Sequence, residues 1–361
     1  MTRSTIAAIG LILCSGHAVS AQQTQRLTAS KDGNYGLVYT LPSTAINITV
    51  EAERTVASPG EFYKYASRYF DAADAVPAPT ESWKIVSVTL ASEGVTDPDA
   101  PQYLVTLKSS ASPFIITDRR GMPLAINTDR IAEQQQPALP QPRDPQPTPL
   151  DGPDARRALT AEMVQSSSQA KKAELAAARI MEIRASRNDY LTGQADQMPD
   201  GEALKIILKN LDAQEEALTA MFLGTRQTST QVITYTVTPG QELDRHIIGR
   251  LSNTAGPVEA DDLRGAPIYL DLQVTARGTM PVNDKGETKK MPRNGVPYCI
   301  PGTARATVSF GGRQLAAQDF EMAQFGVTYS LDPELFTSKK SPSYLIFNPA
   351  TGGIQTIAPL D

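Results

Sequence analysis

Histidine, cysteine and tryptophan are scarce in this sequence, with two, two and one among its 361 residues. Cys14 and His17 lie close to the N-terminus, so the body of the chain offers only His246 and Cys299. Zinc sites need more histidine or cysteine ligands than these two. A Ser-His-Asp triad would have to use His246, which has no nucleophile motif near it. We therefore expect neither a metal nor a cofactor.

Motifs of the common catalytic sites are missing as well, since neither Gly-x-Ser-x-Gly nor Gly-x-x-x-x-Gly-Lys occurs. A catalytic pair of Cys299 and His246 is formally possible, although Cys299 lies within a predicted strand and is more simply a strand residue. Carboxylate-only hydrolysis also stays open, because a glycosidase needs just two acids. The acidic candidates form no motif: Glu61, Glu81, Asp271, Asp319 and Glu321. The sequence therefore predicts a protein that is not an enzyme, with a hydrolase as the remaining alternative.

The sequence has one notable apolar run, at residues 6–13. Arg3 precedes this run, and the small residues at 19–21 offer a cleavage position before Gln22, as in a secretory signal peptide. The run is shorter than the roughly 20 residues of a spanning helix, and no later segment approaches that length. Leu13 before Cys14 argues against lipidation, because that processing prefers a small residue there. We predict an exported chain without a membrane span, in the periplasm or associated with the outer membrane.

Positive charge is not in excess, because the formal net charge is −5. This balance argues against nucleic acid and anionic membrane surfaces as main partners. An apolar fraction of 40% with 20% charged residues is typical of globular proteins. After loss of the signal peptide, Cys299 has no second cysteine with which to form a disulfide. The fold must therefore be stabilised by its core.

The central part of the chain has the spacing of two helices, within residues 154–224. The first repeats apolar or small residues at heptad intervals: Leu159, Met163, Ser166, Ala170, Ala173, Ala177 and Ile180. Gly193, Pro199 and the N-cap Asp200 predict a reversal. The second continues with the same spacing: Leu204, Ile207, Leu211, Gln214, Leu218 and Met221. These patterns predict an antiparallel helical hairpin whose first helix is about 50 Å long.

The chain on both sides of these helices alternates as β-strands do, and two stretches resemble each other. Residues 36–45 and 295–304 share Gly, Tyr, Pro, Thr and Ala at equivalent positions. Both halves also end in a hairpin pattern, at 114–126 and at 344–357. We infer an α+β fold, with two related β-rich, sandwich-like modules separated by the long antiparallel helical hairpin.

This interpretation divides the chain into five parts. A signal peptide covers residues 1–21, and an N-terminal β-rich module with one aromatic helix covers 22–132. A Pro/Gln-rich linker follows at 133–153, where prolines disfavour helix and sheet. The helical hairpin takes residues 154–224, and the C-terminal β-rich module takes 225–361.

Two groups of residues are candidates for binding. The segment 62–70 is rich in aromatic residues, and core packing is the simpler explanation for them, while Tyr63 and Tyr65 could instead stack on a sugar or a peptide. Arg179, Arg184 and Arg187 give the first helix a basic end. They suit the C-terminus of a helix, and they also suit a docking surface for an acidic partner.

Several strings of the sequence resemble a family of exported Bacteroidota proteins catalogued as domain of unknown function 4831. The strings are Tyr39–Ala45, Gly60–Ala66, Lys172–Ala176, Ile183–Asn188, Ala323–Gly326 and Phe347–Gly352. The resemblance implies a location in the envelope or at the surface of a Gram-negative bacterium. It brings no catalytic residues with it.

The function that these observations favour is a non-enzymatic envelope protein that binds other envelope proteins or helps to assemble them. The long helices and the Pro-rich spacer, beside the lack of a catalytic motif, motivate this hypothesis. The alternative is an exported glycan-binding or glycan-processing protein that uses the aromatic segment 62–70.

Overall fold

The computed structural model describes residues 36–106, 114–133, 136–292, 295–338 and 341–360. The predicted signal peptide, with Cys14, lies outside these residues. Within them, no helix is both long and apolar enough to cross a membrane.

Strands dominate the described residues. The first half contains β1 (Gly36–Thr40), β2 (Ser43–Ser58), β3 (Thr80–Val95), β4 (Gln102–Thr106), β5 (Ile115–Thr117) and β6 (Pro123–Ile126). The second half contains β7 (Thr225–Val237), β8 (Leu243–Ser252), β9 (Gly256–Val258), β10 (Ala266–Ala276), β11 (Val296–Phe310), β12 (Arg313–Leu331), β13 (Ser343–Phe347) and β14 (Ile354–Pro359). The helices are α1 (Ala66–Tyr69), α2 (Pro153–Arg157), α3 (Ala161–Gln165), α4 (Gln169–Thr192), α5 (Gly201–Leu223) and α6 (Glu334–Thr337).

Two sheets face each other across the main core. One has the order β3-β2-β7 and the other has the order β12-β11-β10-β8-β9. Ile46, Ile48 and Val50 alternate along β2 and pack against Leu270 and Val308 of the other sheet. This alternation places every second side chain in the core between the two sheets, as the sequence pattern predicts.

A second core lies at one end of this sandwich. The ribbon β1-β4 and the sheet β14-β13-β6-β5 enclose it together with one end of β11. Its largest buried side chains include Tyr39, Phe336 and Phe347. Because β11 continues from this core into the sandwich, the two cores share a strand and are joined through it.

The helices form a third core, in which small residues of α4 allow close packing. Ala173, Ala176 and Ile180 of α4 contact a cluster that contains Leu218 and Phe222 of α5. Asp200 caps α5 by accepting a hydrogen bond from the Ala203 N–H, and Gly193 ends α4 at a φ of 72°. Both termini follow the sequence signals for them.

The predicted first helix is not continuous, and its length was overestimated. Three separate helices, α2, α3 and α4, take its place. Ser166 and Ser168 adopt extended backbone angles, and Ser168 instead caps α4 through the Lys171 N–H. Serine side chains compete with the helical hydrogen bonds in this way. The 24 residues of α4 extend about 36 Å.

The predicted fold class is wrong. The described residues are β-rich, and among them no long helical hairpin holds two separate modules apart. Strand β2 of the first half pairs with β7, which directly follows α5, and β6 pairs with β13 of the second half. The sheets therefore combine strands from both halves. Alternation along β2 shows which face is buried, but it carries no information on which strand pairs with it.

The sequence similarity between residues 36–45 and 295–304 corresponds to matching strand registers. Tyr39 lies opposite Tyr103 on β4, and Tyr298 lies opposite Tyr329 on β12. The ring centroids are 5.9 Å and 6.2 Å apart in the two pairs. The Tyr39 hydroxyl also donates to the Pro297 carbonyl at 2.6 Å, so the two similar segments contact each other directly.

The expected aromatic helix is also absent in its predicted form. The segment after β2 forms a 3-10 turn at Tyr63–Tyr65 and then the four-residue α1, and neither has a side-chain cap. The backbone of this segment instead caps another helix, because the Phe62 N–H donates to the Met221 carbonyl at 2.7 Å. Carbonyls at a helix C-terminus need such donors. The predicted aromatic helix therefore does not form, and the chain at Gly60–Phe62 instead contacts the C-terminal end of α5.

The Pro/Gln-rich segment lies against the first sheet in its described part. The Arg143 N–H donates to Thr230 Oγ1, and the Thr230 N–H donates to the Arg143 carbonyl, both at 2.9 Å. Further along, Gln227 donates to the Gln146 carbonyl. This segment thus pairs with the outer edge of β7, where an uncovered strand would attract other chains.

Candidate functional site

Three of the strings that carry the family resemblance meet at Thr44, which is fully buried. Its hydroxyl donates to the Ala350 carbonyl at 2.8 Å and accepts from the Ala323 N–H at 3.0 Å. Sequence analysis placed these residues in separate strings and did not bring them together. Only the folded structure shows that the Thr44 hydroxyl of β2 forms hydrogen bonds with both β12 and the turn after β13.

The side chain of Gln324 completes this junction. Its Oε1 accepts from the Thr44 N–H at 3.0 Å, and its Nε2 donates to the Thr44 and Pro239 carbonyls, both at 2.8 Å. All polar atoms of the amide are therefore used, as a half-buried amide requires. The junction holds β2, β12 and the chain after β7 in one fixed arrangement.

The turn at Asn348–Gly353 is the third part of the junction. Asn348 accepts the Ala350 N–H on Oδ1 at 2.9 Å, and its carbonyl accepts the Gly352 N–H at 2.7 Å. Gly352 has a φ of 68°, which glycine adopts at little cost. Gly94 allows the turn to approach β3, because a Cβ there would overlap the Pro349 carbonyl oxygen.

A groove of about 530 Å³ lies beside this junction. Leu90–Ser92 of β3 form one wall, Gln318–Glu321 of β12 form another, and the turn Asn348–Thr351 closes one end. Glu133 and Pro137 lie along the remaining side. Its volume is within the roughly 300–1,000 Å³ of small-ligand clefts. We therefore define this groove as the candidate site.

The charged residues that line the groove are all acidic: Glu133, Asp319 and Glu321. Arg305 lies 3.3 Å from Asp319 on the neighbouring strand, and Asn348 Nδ2 donates to Glu321 at 3.3 Å. Asp319 and Glu321 are two positions apart on β12, so they point to the same face with Cα atoms about 6.6 Å apart. The groove therefore presents two neighbouring carboxylates on a rigid strand.

This geometry suits the binding of positive charge better than acid catalysis. The Asp319 side chain is 61% exposed, whereas a general acid is typically a carboxyl enclosed by apolar groups. Within the described residues, no group of three His, Cys, Asp or Glu side chains is arranged to hold a metal ion. Sequence analysis named Asp319 and Glu321 among five acids, but only the groove relates them to each other.

The predicted arginines have partners within the protein. Arg184 pairs with Glu215 at 2.6 Å, and Arg187 lies 2.8 Å from Asp212 and 2.7 Å from Glu215. The hydrogen bond to Asp212 raises the pKa of Arg187, with a smaller contribution from Glu215. Arg184 and Arg187 line a second cleft, of about 590 Å³, together with Asp212, Glu215 and Leu223 of α5. The order of these pairs shows that α4 and α5 run antiparallel.

Arg179 is separate from this group, because it pairs with Glu182 on its own helix at 3.0 Å. The acidic partners of the other two arginines, on α5, were not singled out in the sequence. Their spacing of three residues places them on one helical face, and this is the signal that could have identified them.

The aromatic segment lies against the C-terminal end of α5. Phe62, Tyr69 and Phe70 surround the buried ring of Phe222, with centroid distances of 5.4, 5.7 and 5.0 Å. Tyr65 packs against the same cluster and is half-buried. Tyr63 is also half-buried, and the Lys64 ammonium lies 5.8 Å from its ring centre. Most aromatic side chains of this segment are therefore used in the helical core.

The comparison with family models identifies the chain. The model described as Domain of unknown function (DUF4831) matches residues 35–355. The chain belongs to this family. No curated protein and no solved structure matches it significantly. The DUF4831 match confirms the resemblance, while the bacterial phylum stays a prediction.

In this DUF4831 chain, Cys299 and His246 occupy different environments. Cys299 is buried on β11, and its Sγ lies 3.6 Å from the Ala323 carbonyl. His246 is exposed on β8. Burial, with a smaller contribution from Glu321, raises the pKa of the Cys299 thiol to about 11. A thiol with so high a pKa is a poor nucleophile at neutral pH.

We expect this thiol to make the fold sensitive to alkaline pH. The unfolded chain releases the Cys299 proton from about pH 8.5, whereas the folded chain retains it up to about pH 11. Stability should therefore fall by about 1–2 kcal/mol between pH 8 and pH 10. Urea denaturation at pH 8 and pH 10 measures the change. A Cys299→Ala variant that loses stability equally over this window would contradict the assignment.

Proposed function

We propose that this DUF4831 chain is an exported, non-enzymatic component of the cell envelope that binds other envelope proteins. The observation that carries the proposal is the outer half of α4 and α5, residues 184–216. Within the described range 136–292, no helical residue between Ile183 and Ala217 is buried. Leu191 and Ile206 are 67% and 62% exposed there. Contiguous apolar patches that stay uncovered on the surface are typical of protein-interaction sites, and we propose that these two side chains belong to one.

The structure of the helix pair supports this use. At its inner half, α2, α3 and the aromatic segment cover the two helices and form a closed core. At its outer half no described side chain of either helix is buried, and Arg184 and Arg187 link the two helices through Glu215. A partner that lays an apolar surface against this half would continue the packing that the inner half already has.

The export part of the proposal is supported by the sequence of residues 1–21. The net charge of −5 favours partners other than nucleic acid. Together these features describe a protein that folds outside the cytoplasm and presents a fixed helical surface to a neighbour in the envelope.

Two matched pairs of substitutions test the proposal. Leu191→Gln with Ile206→Gln removes the apolar side chains of the outer helices while keeping good helix formers. Leu263→Gln with Met291→Gln changes two exposed apolar residues elsewhere, whose exposures of 82% and 50% average close to those of the first pair. We expect the first pair to abolish co-purification of specific envelope proteins and the second to leave it unchanged. Equal retention by both variants would refute the role of the helices.

A further inference from the structure

The edge strands of the two facing sheets differ in whether another segment pairs with them. The chain's own Pro/Gln-rich segment pairs with the outer edge of β7 through Arg143 and Thr230. On the opposite side, β3 pairs only with β2, and β12 pairs only with β11, among the described strands. Each of these edges therefore presents backbone N–H and carbonyl groups that no described strand takes up.

The acidic groove lies between these two edges. Leu90–Ser92 on β3 and Gln318–Glu321 on β12 provide its long walls, so a ligand inside it would contact an unpaired strand edge on each side. An extended polypeptide is the ligand whose donors and acceptors repeat at the spacing that a strand edge offers.

The side chains of the groove specify the charge of such a polypeptide. Asp319 and Glu321 point to the same face of β12, and Glu133 adds a third carboxylate on the open side. In an extended ligand, alternate side chains face the same wall. Lysine or arginine at alternate positions would therefore lie opposite the carboxylates, while small or apolar residues would lie between them.

Hydrogen bonds within the protein hold the walls of the groove in place without a ligand. The Thr44 hydroxyl links β12 to the turn after β13, and Asn348 holds both that turn and the Glu321 carboxylate. A wall fixed in this way loses little conformational freedom on binding. We propose that the groove binds an extended, lysine- or arginine-containing segment of a partner protein by strand addition. This binding is a second activity, independent of the outer helices.

A fluorescein-labelled peptide of alternating lysine and valine tests the proposal at low salt, where charge attraction is least screened. Binding to the full chain is followed by fluorescence anisotropy. The double variant Asp319→Asn with Glu321→Gln keeps an oxygen for Asn348 and should raise Kd by about fivefold or more. Asp196→Asn with Asp284→Asn removes the same charge from exposed positions outside the groove. This control should stay within about twofold of the unchanged protein.

The backbone part of the proposal needs a second peptide. N-methylation at alternate residues keeps the positive charges but removes the N–H donors that pair with a strand edge. Strand addition predicts that the methylated peptide loses at least about tenfold in affinity. Equal binding of both peptides, equal weakening by the two double variants, or no binding to the unchanged protein would overturn the proposal.

Discussion

Replacing Gly60 by alanine should lower the free energy of unfolding by about 3 kcal/mol or more. A Cβ at Gly60 would overlap the backbone carbonyl oxygens of Ala220 and Met221. Neither atom can move independently, because Met221 lies in α5 and accepts the Phe62 N–H. The whole contact between the end of β2 and the end of α5 would have to open.

Gly201→Ala is the matched control, because it makes the same chemical change at the start of α5. A Cβ there meets no atom within 4 Å, and alanine is a better helix former than glycine by up to about 1 kcal/mol. Urea denaturation followed by circular dichroism should therefore show Gly201→Ala as stable as the original chain or more so. Gly60→Ala with unchanged stability would mean that the contact with α5 is not as close as described.

Replacing Thr44 by valine should cost about 2–3 kcal/mol, although the two side chains have nearly the same shape. The Thr44 hydroxyl is buried and bonds both the Ala350 carbonyl and the Ala323 N–H. Valine would leave these two backbone groups without their partner, and each unpaired buried group is costly. The same substitution should weaken peptide binding in the groove, because the turn that closes it would lose its attachment.

Thr55→Val on the same strand separates this effect from a general effect of valine on β2. Thr55 is half-buried and has no described hydrogen bond from its hydroxyl. Its substitution should change stability by less than about 0.5 kcal/mol. Thermal unfolding of the two variants side by side checks the difference. Similar melting temperatures would show that the hydrogen bonds of Thr44 contribute little.

Local signals predicted local structure well in this chain. Asp200 and Gly193 were identified as helix boundaries, and residues 114–126 form the hairpin β5-β6 around Gly121, which has a φ of 82°. Each of these features depends on interactions among residues close in sequence. The break at Ser166–Ser168 is also local, because three consecutive serines compete with helical hydrogen bonds, but the heptad spacing continues across them and conceals it.

Which distant strands pair with each other was not predictable from the same local signals. Strand β2 has a clear alternating pattern, yet nothing in residues 43–58 indicates β7 as its neighbour. The candidate groove depends on the same kind of information, because Asp319 and Asn348 come together only through the packing of β12 against the turn after β13. Single residues of the site were recognisable as acids or turn formers, but their common location was not.

The position of β2 in the middle of its sheet constrains how this protein reaches its native state. The hydroxyls of Thr49 and Thr234, 2.9 Å apart, belong to residues 185 positions apart in the chain. Closing so long a loop is slow, and the unpaired side of β2 stays open to aggregation until it happens. The N-terminal half therefore cannot complete its first sheet until β7 is available, so a chain truncated before residue 225 lacks one strand of that sheet.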